Sequence, residues 1–116
     1  MSVVIYHNPK CSKSRETLAL LEQNSVQPEV VKYLEAPLSV ELLKSLYAQL
    51  GLASVRDMMR TKEDIYKELS LGDASVSDDQ LFAAMVENPK LIERPIVVAN
   101  GKARLGRPPE QVLEIL

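Results

Sequence analysis

Two short apolar runs separated by a helical stretch constrain this chain more than any other feature. Val3-Val4-Ile5-Tyr6 reads as a buried strand, and Ser12 to about Glu22 as a helix with Leu18 and Leu21 on one face. Pro28 breaks that pattern, and Glu29-Val30-Val31-Lys32-Tyr33-Leu34 reads as a second strand. Strand, helix and strand in this order suit a parallel pair joined by a right-handed crossover. Near the other end, Ile96-Val97-Val98-Ala99 and Lys102-Ala103-Arg104-Leu105 flank Asn100-Gly101, the strongest local signal for a tight antiparallel hairpin.

The intervening segment is helical in pattern. Ser39 caps a helix whose Leu43, Leu46, Tyr47 and Leu50 fall at i, i+3, i+4 and i+7, and Gly51 stops it. Ser54-Val55-Arg56-Asp57 fits a capping box opening a short helix through Met58 and Met59, with Arg60 closing it. A further helix is expected over Glu63 to Leu69, ended by Gly72. Ser77-Asp78-Asp79-Gln80 is a second capping box, followed by Leu81, Phe82, Met85 and Val86 on one face, with Asn88-Pro89 closing that helix. Pro108 and Pro109 open a last helix, with Val112, Leu113 and Leu116 expected to face inward. Tyr6, Tyr33, Phe82, Met58 and Met59 read as core.

The order is β-α-β, a helical block, then β-β-α. This predicts an α/β protein with the thioredoxin/glutaredoxin layout, carrying residues 39–88 as a helical insertion within a single domain over 1–116. In that layout the third strand begins at Pro95, where the fold commonly places a cis-proline beside an active cysteine. At 116 residues, with 46% hydrophobic and 26% charged residues, the chain has the composition of a soluble globular domain. Its net charge of −2 gives no electrostatic case for nucleic acid or an anionic membrane, so neither is expected as a partner. No stretch approaches the length of a membrane span, and no secretory leader pattern opens the chain. A single cysteine argues against an oxidising compartment, which makes the cytoplasm the expected location. With one histidine and one cysteine, a closed metal site would need a carboxylate cluster that the sequence does not offer; no metal is expected.

That single cysteine, Cys11, lies in His7-Asn8-Pro9-Lys10-Cys11-Ser12-Lys13-Ser14-Arg15, at a strand-to-helix junction. A thiol at the first turn of a helix meets unpaired amide N–H groups and the positive end of the helix dipole. Lys10, Lys13 and Arg15 add charge of the same sign, so the thiolate is favoured over the thiol. The competing reading, a small buried hydrophobe, fits poorly with polar and cationic neighbours on both sides. Ser14 suits either a hydrogen bond to that thiolate or ordinary first-turn capping. Four arginines sit at element ends or in loops: Arg15, Arg60, Arg94 and Arg107. The β-α-β, β-β-α layout puts Arg94 at the same end of the sheet as Cys11, with Arg107 leading out of the next strand. A planar, permanently charged guanidinium suits a tetrahedral oxyanion. The alternative for each arginine is a surface role opposite one of the 16 acidic residues.

His7-Asn8-Pro9-x-Cys11, Met58-Met59-Arg60, Glu93-Arg94-Pro95-Ile96-Val97-Val98 and Arg104-Leu105-Gly106-Arg107-Pro108 together resemble the ArsC family of glutaredoxin-linked arsenate reductases, most closely its short, YfgD-like branch. The resemblance covers essentially the whole chain. It implies that Cys11 is the nucleophile and that Arg60, Arg94 and Arg107 bind the oxyanion. It also implies that His7 belongs to the active-site loop and supports the thiolate, although a loop histidine bonded to backbone fits the residues equally well. Arsenate or a similar oxyanion is the implied substrate. Glutathione is the implied co-substrate and glutaredoxin the implied partner, with no bound cofactor. Related regulators of the same fold often carry Cys-x-x-Cys; here the fourth position is Ser14, which removes an internal redox switch. Two other readings stay open: a glutaredoxin-like thiol exchanger, and a non-enzymatic adaptor that binds a partner through the helical block.

Overall fold

The computed structural model describes residues 2–36 and 38–116. The chain divides into two compact units, Met1–Ala36 with Arg94–Leu116, and Pro37–Glu93.

The first unit is a four-stranded mixed sheet in the order β2-β1-β3-β4, with β1 at Val3–Tyr6, β2 at Glu29–Val31, β3 at Ile96–Ala99 and β4 at Lys102–Leu105. β1 runs parallel to β2 and antiparallel to β3, which forms the expected hairpin with β4. Asn100 and Gly101 both take positive φ, the requirement of a tight turn whose twist matches its strands. Helix α1, Ser12–Gln23, makes the crossover between the parallel strands. It ends with Ser25 in the left-handed region, and the Val26 amide bonds back to the Leu21 carbonyl. Alternation along β1 and β3 sends Val3, Ile5, Val97 and Ala99 to one face, where they pack with Leu21 of α1 and with Val112 and Ile115 of the terminal helix. This is the β-α-β, β-β-α arrangement of the thioredoxin/glutaredoxin layout.

Two details of this unit depart from expectation. β2 stops at Val31 rather than reaching Leu34. Its partner β1 ends at Tyr6, which pairs with Val31, and the chain then turns as the Glu35 amide bonds to the Lys32 carbonyl. A strand cannot outlast the ladder that satisfies it. The terminal helix is a 3-10 helix over Pro109–Ile115, not an α-helix. Three residues per turn put Pro109, Val112 and Ile115 on one face, and these are its buried residues. Leu113, expected inside, is therefore exposed, and Leu116 is only half-buried.

The second unit holds α2 at Val40–Leu50, α3 at Asp64–Glu68 and α4 at Asp78–Glu87, with 3-10 turns at Val55–Met58 and Pro89–Leu91. Ser39 caps α2, Gly51 ends it in the left-handed region, and Leu43, Leu46 and Leu50 are buried. Ser77 and Gln80 form a reciprocal capping box on α4, whose Leu81, Phe82, Ala84 and Met85 are buried. Tyr47 of α2 meets the Phe82 ring edge-on, with 6.0 Å between centroids. Ser54 caps through the Arg56 amide, the shorter reach of a 3-10 turn. That turn ends at Met58, so Arg60 does not close it; Arg60 follows Met59, which bridges to Ile92. Gly72 does not end α3 either. Ser70 takes positive φ just past the helix, and the Ser70 and Leu71 amides return to the Lys67 and Tyr66 carbonyls.

Tyr6, Tyr33, Met58, Met59 and Phe82 are all buried. Among the described residues, no helix is long and apolar enough to cross a membrane, and no group of three or more His, Cys, Asp or Glu could hold a metal ion.

Candidate active site

Cys11 is the N-cap of α1, with extended backbone angles, and its side chain is buried. That position normally belongs to Ser, Thr, Asp or Asn, whose oxygen accepts from the amides of the first turn. The sulfur closes no cap hydrogen bond of that kind, but the Ser14 and Lys13 N–H groups are aimed at it. The first turn of α1 contains no acidic residue, whereas α2 carries Glu41 there and α4 carries Asp78 and Asp79. The positive end of α1 is thus left for the sulfur.

Burial alone would push the Cys11 thiol up. The Ser14 amide, the Arg94 guanidinium and the Lys13 amide outweigh it, and the pKa falls below its ordinary value. Arg94 acts both through its charge and as a side-chain hydrogen-bond donor to the sulfur. It stands immediately before Pro95, at the entry to β3, and the Arg94–Pro95 peptide bond is cis. β3 pairs with β1, and β1 leads into the cysteine loop, so the sheet brings the two segments to one end.

Arg107 lies at the matching exit from β4. Its Nε donates to the Arg94 carbonyl oxygen at 3.1 Å, and the Arg107–Pro108 bond is also cis. Just before it, Gly106 is wedged against the sheet and α1. A Cβ at Gly106 would stand 2.4 Å from Thr17 Oγ1 and 2.7 Å from Pro95 Cγ, so only glycine fits the backbone as it runs. The Gly106 amide donates to the Pro95 carbonyl oxygen at 3.0 Å, and Thr17 Oγ1 to the Lys13 carbonyl oxygen at 2.8 Å. Thr17 and Gly106 carry no chemistry; Thr17 is not among the residues expected at the site, and Gly106 is named only within the Arg104-Leu105-Gly106-Arg107-Pro108 motif, without a role. The signal that could have found Gly106 is a glycine set directly between a strand and Arg107-Pro108.

His7 and Ser14 are buried together. His7 Nδ1 lies 2.7 Å from Ser14 Oγ, and the Asn8 amide donates to the same oxygen at 3.0 Å. The Ser14 hydroxyl thus ties the loop to the helix, while the Ser14 amide faces the sulfur. Burial lowers the His7 pKa, and the charges of Lys32 and Arg15 lower it further, so the imidazole is neutral at neutral pH. Arg15 is exposed, and its Nη1 donates to the Pro9 carbonyl oxygen at 3.0 Å, bracing the loop from outside. Cys11, Ser14, His7, Arg15, Arg94 and Arg107 all belong to the first unit. Arg60 belongs to the second, where its Nη1 donates to Glu63 Oε1.

The model of the ArsC family matches residues 6–115. The Escherichia coli K12 protein YfgD is 66% identical over 98% of this chain and 96% of its own length. An arsenate reductase of Haemophilus influenzae is 56% identical over the full length of both chains. A solved structure of an arsenate reductase from Vibrio cholerae superposes with a TM-score of 0.99 at 75% identity, covering 100% of this chain and 98% of that one.

Proposed function

The chain belongs to the ArsC family, and from that premise we propose that it is an oxidoreductase that reduces arsenate to arsenite through Cys11. The observation that carries this reading is the Cys11 sulfur at the acid-free N-terminus of α1, with the Arg94 guanidinium beside it. That arrangement provides a nucleophile and an anion-binding group together.

In the proposed reaction the oxyanion is held by Arg94 and Arg107, and the Cys11 thiolate attacks arsenic. An As–S bond forms and a hydroxyl leaves as water after taking up a proton. An external thiol then attacks the Cys11 sulfur. The new S–S bond forms as the As–S bond breaks, its electron pair stays on arsenic, and As(V) becomes As(III). The external thiol is necessary because the chain has one cysteine and cannot close an internal disulfide. Glutathione fills that role in the proposal, and glutaredoxin resolves the Cys11–glutathione disulfide; the reducing cytoplasm supplies both. His7 and Ser14 hold the loop that presents the sulfur, and Arg15 braces it. The assignment of Arg60 to the oxyanion rests on the family resemblance.

The test is NADPH consumption in the presence of arsenate, glutathione, glutathione reductase and glutaredoxin. Turnover that requires arsenate and disappears in Cys11→Ser is the expected result. A Cys11 that reacts with glutathione disulfide but gives no arsenate-dependent turnover would replace this reading with thiol exchange.

A further inference from the structure

The strand order of the first unit divides the cations around Cys11 between two sides. β1 lies between β2 and β3, and its C-terminal end runs into the cysteine loop. On one side Tyr6 pairs with Ile96, and Ile96 with Leu105, so Arg94 before β3 and Arg107 after β4 stand at that end of the sheet. On the other side Tyr6 pairs with Val31 of the parallel strand, and the His7 amide donates to the Val31 carbonyl oxygen at 2.8 Å. Lys32 is the next residue. Burial lowers the His7 pKa and the charge of Lys32 lowers it further, which keeps the ammonium close to the loop. Arg15, the other cation felt at His7, is engaged with the Pro9 carbonyl oxygen. Lys32 is exposed and, among the described residues, makes no ion pair, although Glu29 and Glu35 lie nearby in sequence.

We propose that Lys32 is a specificity-determining residue for the external thiol: its ammonium receives a carboxylate of that thiol on the β2 side of Cys11, and so favours an anionic thiol such as glutathione. The proposal rests on the reaction given above, in which the external thiol attacks the Cys11 sulfur. Displacement at sulfur is in line, with the entering and leaving atoms on opposite sides. Arg94 donates to the sulfur from the β3 side. In the proposed reaction Arg94 and Arg107 hold the arsenic group that leaves. The entering sulfur then comes from the β2 side, past the loop that Lys32 flanks. A positive charge there attracts a carboxylate and does nothing for a neutral thiol.

The test follows the exchange itself and needs no arsenate. Cys11 is first converted to its mixed disulfide with nitrothiobenzoate, an anionic leaving group that suits the arginine side as the oxyanion does. An added thiolate attacks the Cys11 sulfur, a new S–S bond forms, and coloured nitrothiobenzoate leaves with the electron pair of the old one. Lys32→Gln should slow release by glutathione roughly threefold, the scale of one exposed charge pair, and leave release by mercaptoethanol unchanged. Lys32→Arg should restore the glutathione rate, and raised salt should narrow the difference. Lys102→Gln, at the far end of β4, should change neither rate. A loss shared by mercaptoethanol overturns the proposal, because Lys32 would then act on Cys11 and not on the incoming thiol. An unchanged glutathione rate in Lys32→Gln overturns it too, as does an equal loss in Lys102→Gln. The arsenate reading fails separately: a Lys32-dependent preference for glutathione in a protein without arsenate turnover removes arsenate and keeps the docking cation.

Discussion

His7 Nδ1 and Ser14 Oγ, 2.7 Å apart and both buried, join the cysteine loop to the first turn of α1. This contact divides Ser14 into two tasks. Its hydroxyl anchors the loop, and its amide, one turn into the helix, faces the Cys11 sulfur.

The protonation of His7 should be visible in stability. Its folded pKa lies below the ordinary 6.5, with burial as the main cause. Below 6.5 the unfolded chain therefore binds a proton that the folded chain refuses. The stabilisation is complete above that value and is lost as pH falls through the folded pKa. Carboxylates titrate near 4, so the window from about 7 to about 5 belongs to this single histidine once the thiol is removed. Urea unfolding of Cys11→Ser should show stability declining across that window, and the added His7→Asn change should flatten the curve.

Cys11 should alkylate as a thiolate at lower pH than a free cysteine titrated alongside it, because the Ser14 and Lys13 amides and the Arg94 guanidinium outweigh its burial. The pH dependence of the iodoacetamide rate reads this directly. Arg94→Gln should move the midpoint upward, because it removes a charge and a donor while leaving the Ser14 and Lys13 amides in place. Arg94→Lys should fall between the two, a point charge without the fork. A midpoint unmoved by either change would mean that the helix terminus alone sets the thiol.

Gly106→Ala should destabilise the protein by about 1–3 kcal/mol, the usual range for forced overpacking. The new methyl meets Thr17 Oγ1 and the Pro95 ring, neither of which is the loose end of a long side chain. Denaturant unfolding measures the loss. Adding Thr17→Ala removes the nearest of these atoms and should recover part of it.

The terminal 3-10 helix makes a contrast between neighbours. Ile115→Ala should cost about 2–4 kcal/mol, since Ile115 fills the core beside Val112. Leu113→Ala should cost less, about 1 kcal/mol, because Leu113 keeps 37% of its surface in solvent where Ile115 keeps 3%. Equal losses at the two positions would show that this segment packs as an α-helix.

That same segment marks where the sequence ceased to be legible. The sheet, α1, α2, α4 and the hairpin are written locally, in alternating apolar residues, serine caps and the Asn100-Gly101 turn. The terminal helix is not. Its apolar residues Val112, Leu113, Ile115 and Leu116 satisfy a period of 3.6 as readily as one of 3.0, and packing on the sheet decides between them. Ser25 and Ser70 end their helices in a conformation usually left to glycine, so a search for glycine looks past them. At the site, Arg94 beside Cys11 was legible once the strand order was known. The tie between His7 and the Ser14 hydroxyl was not, because a loop of unknown course gives no facing.

The sheet that carries Cys11 is assembled from the two ends of the chain. During synthesis β1 and α1 emerge first, but β3, which pairs with β1, follows the whole of the second unit. Val112 and Ile115, which close the core, come last of all. Until then Arg94 has no sheet to hold it against the sulfur. A nascent chain, or one cut short before Val112, should therefore carry a thiol closer to an ordinary one, even though every group that lowers the Cys11 pKa is already present in it.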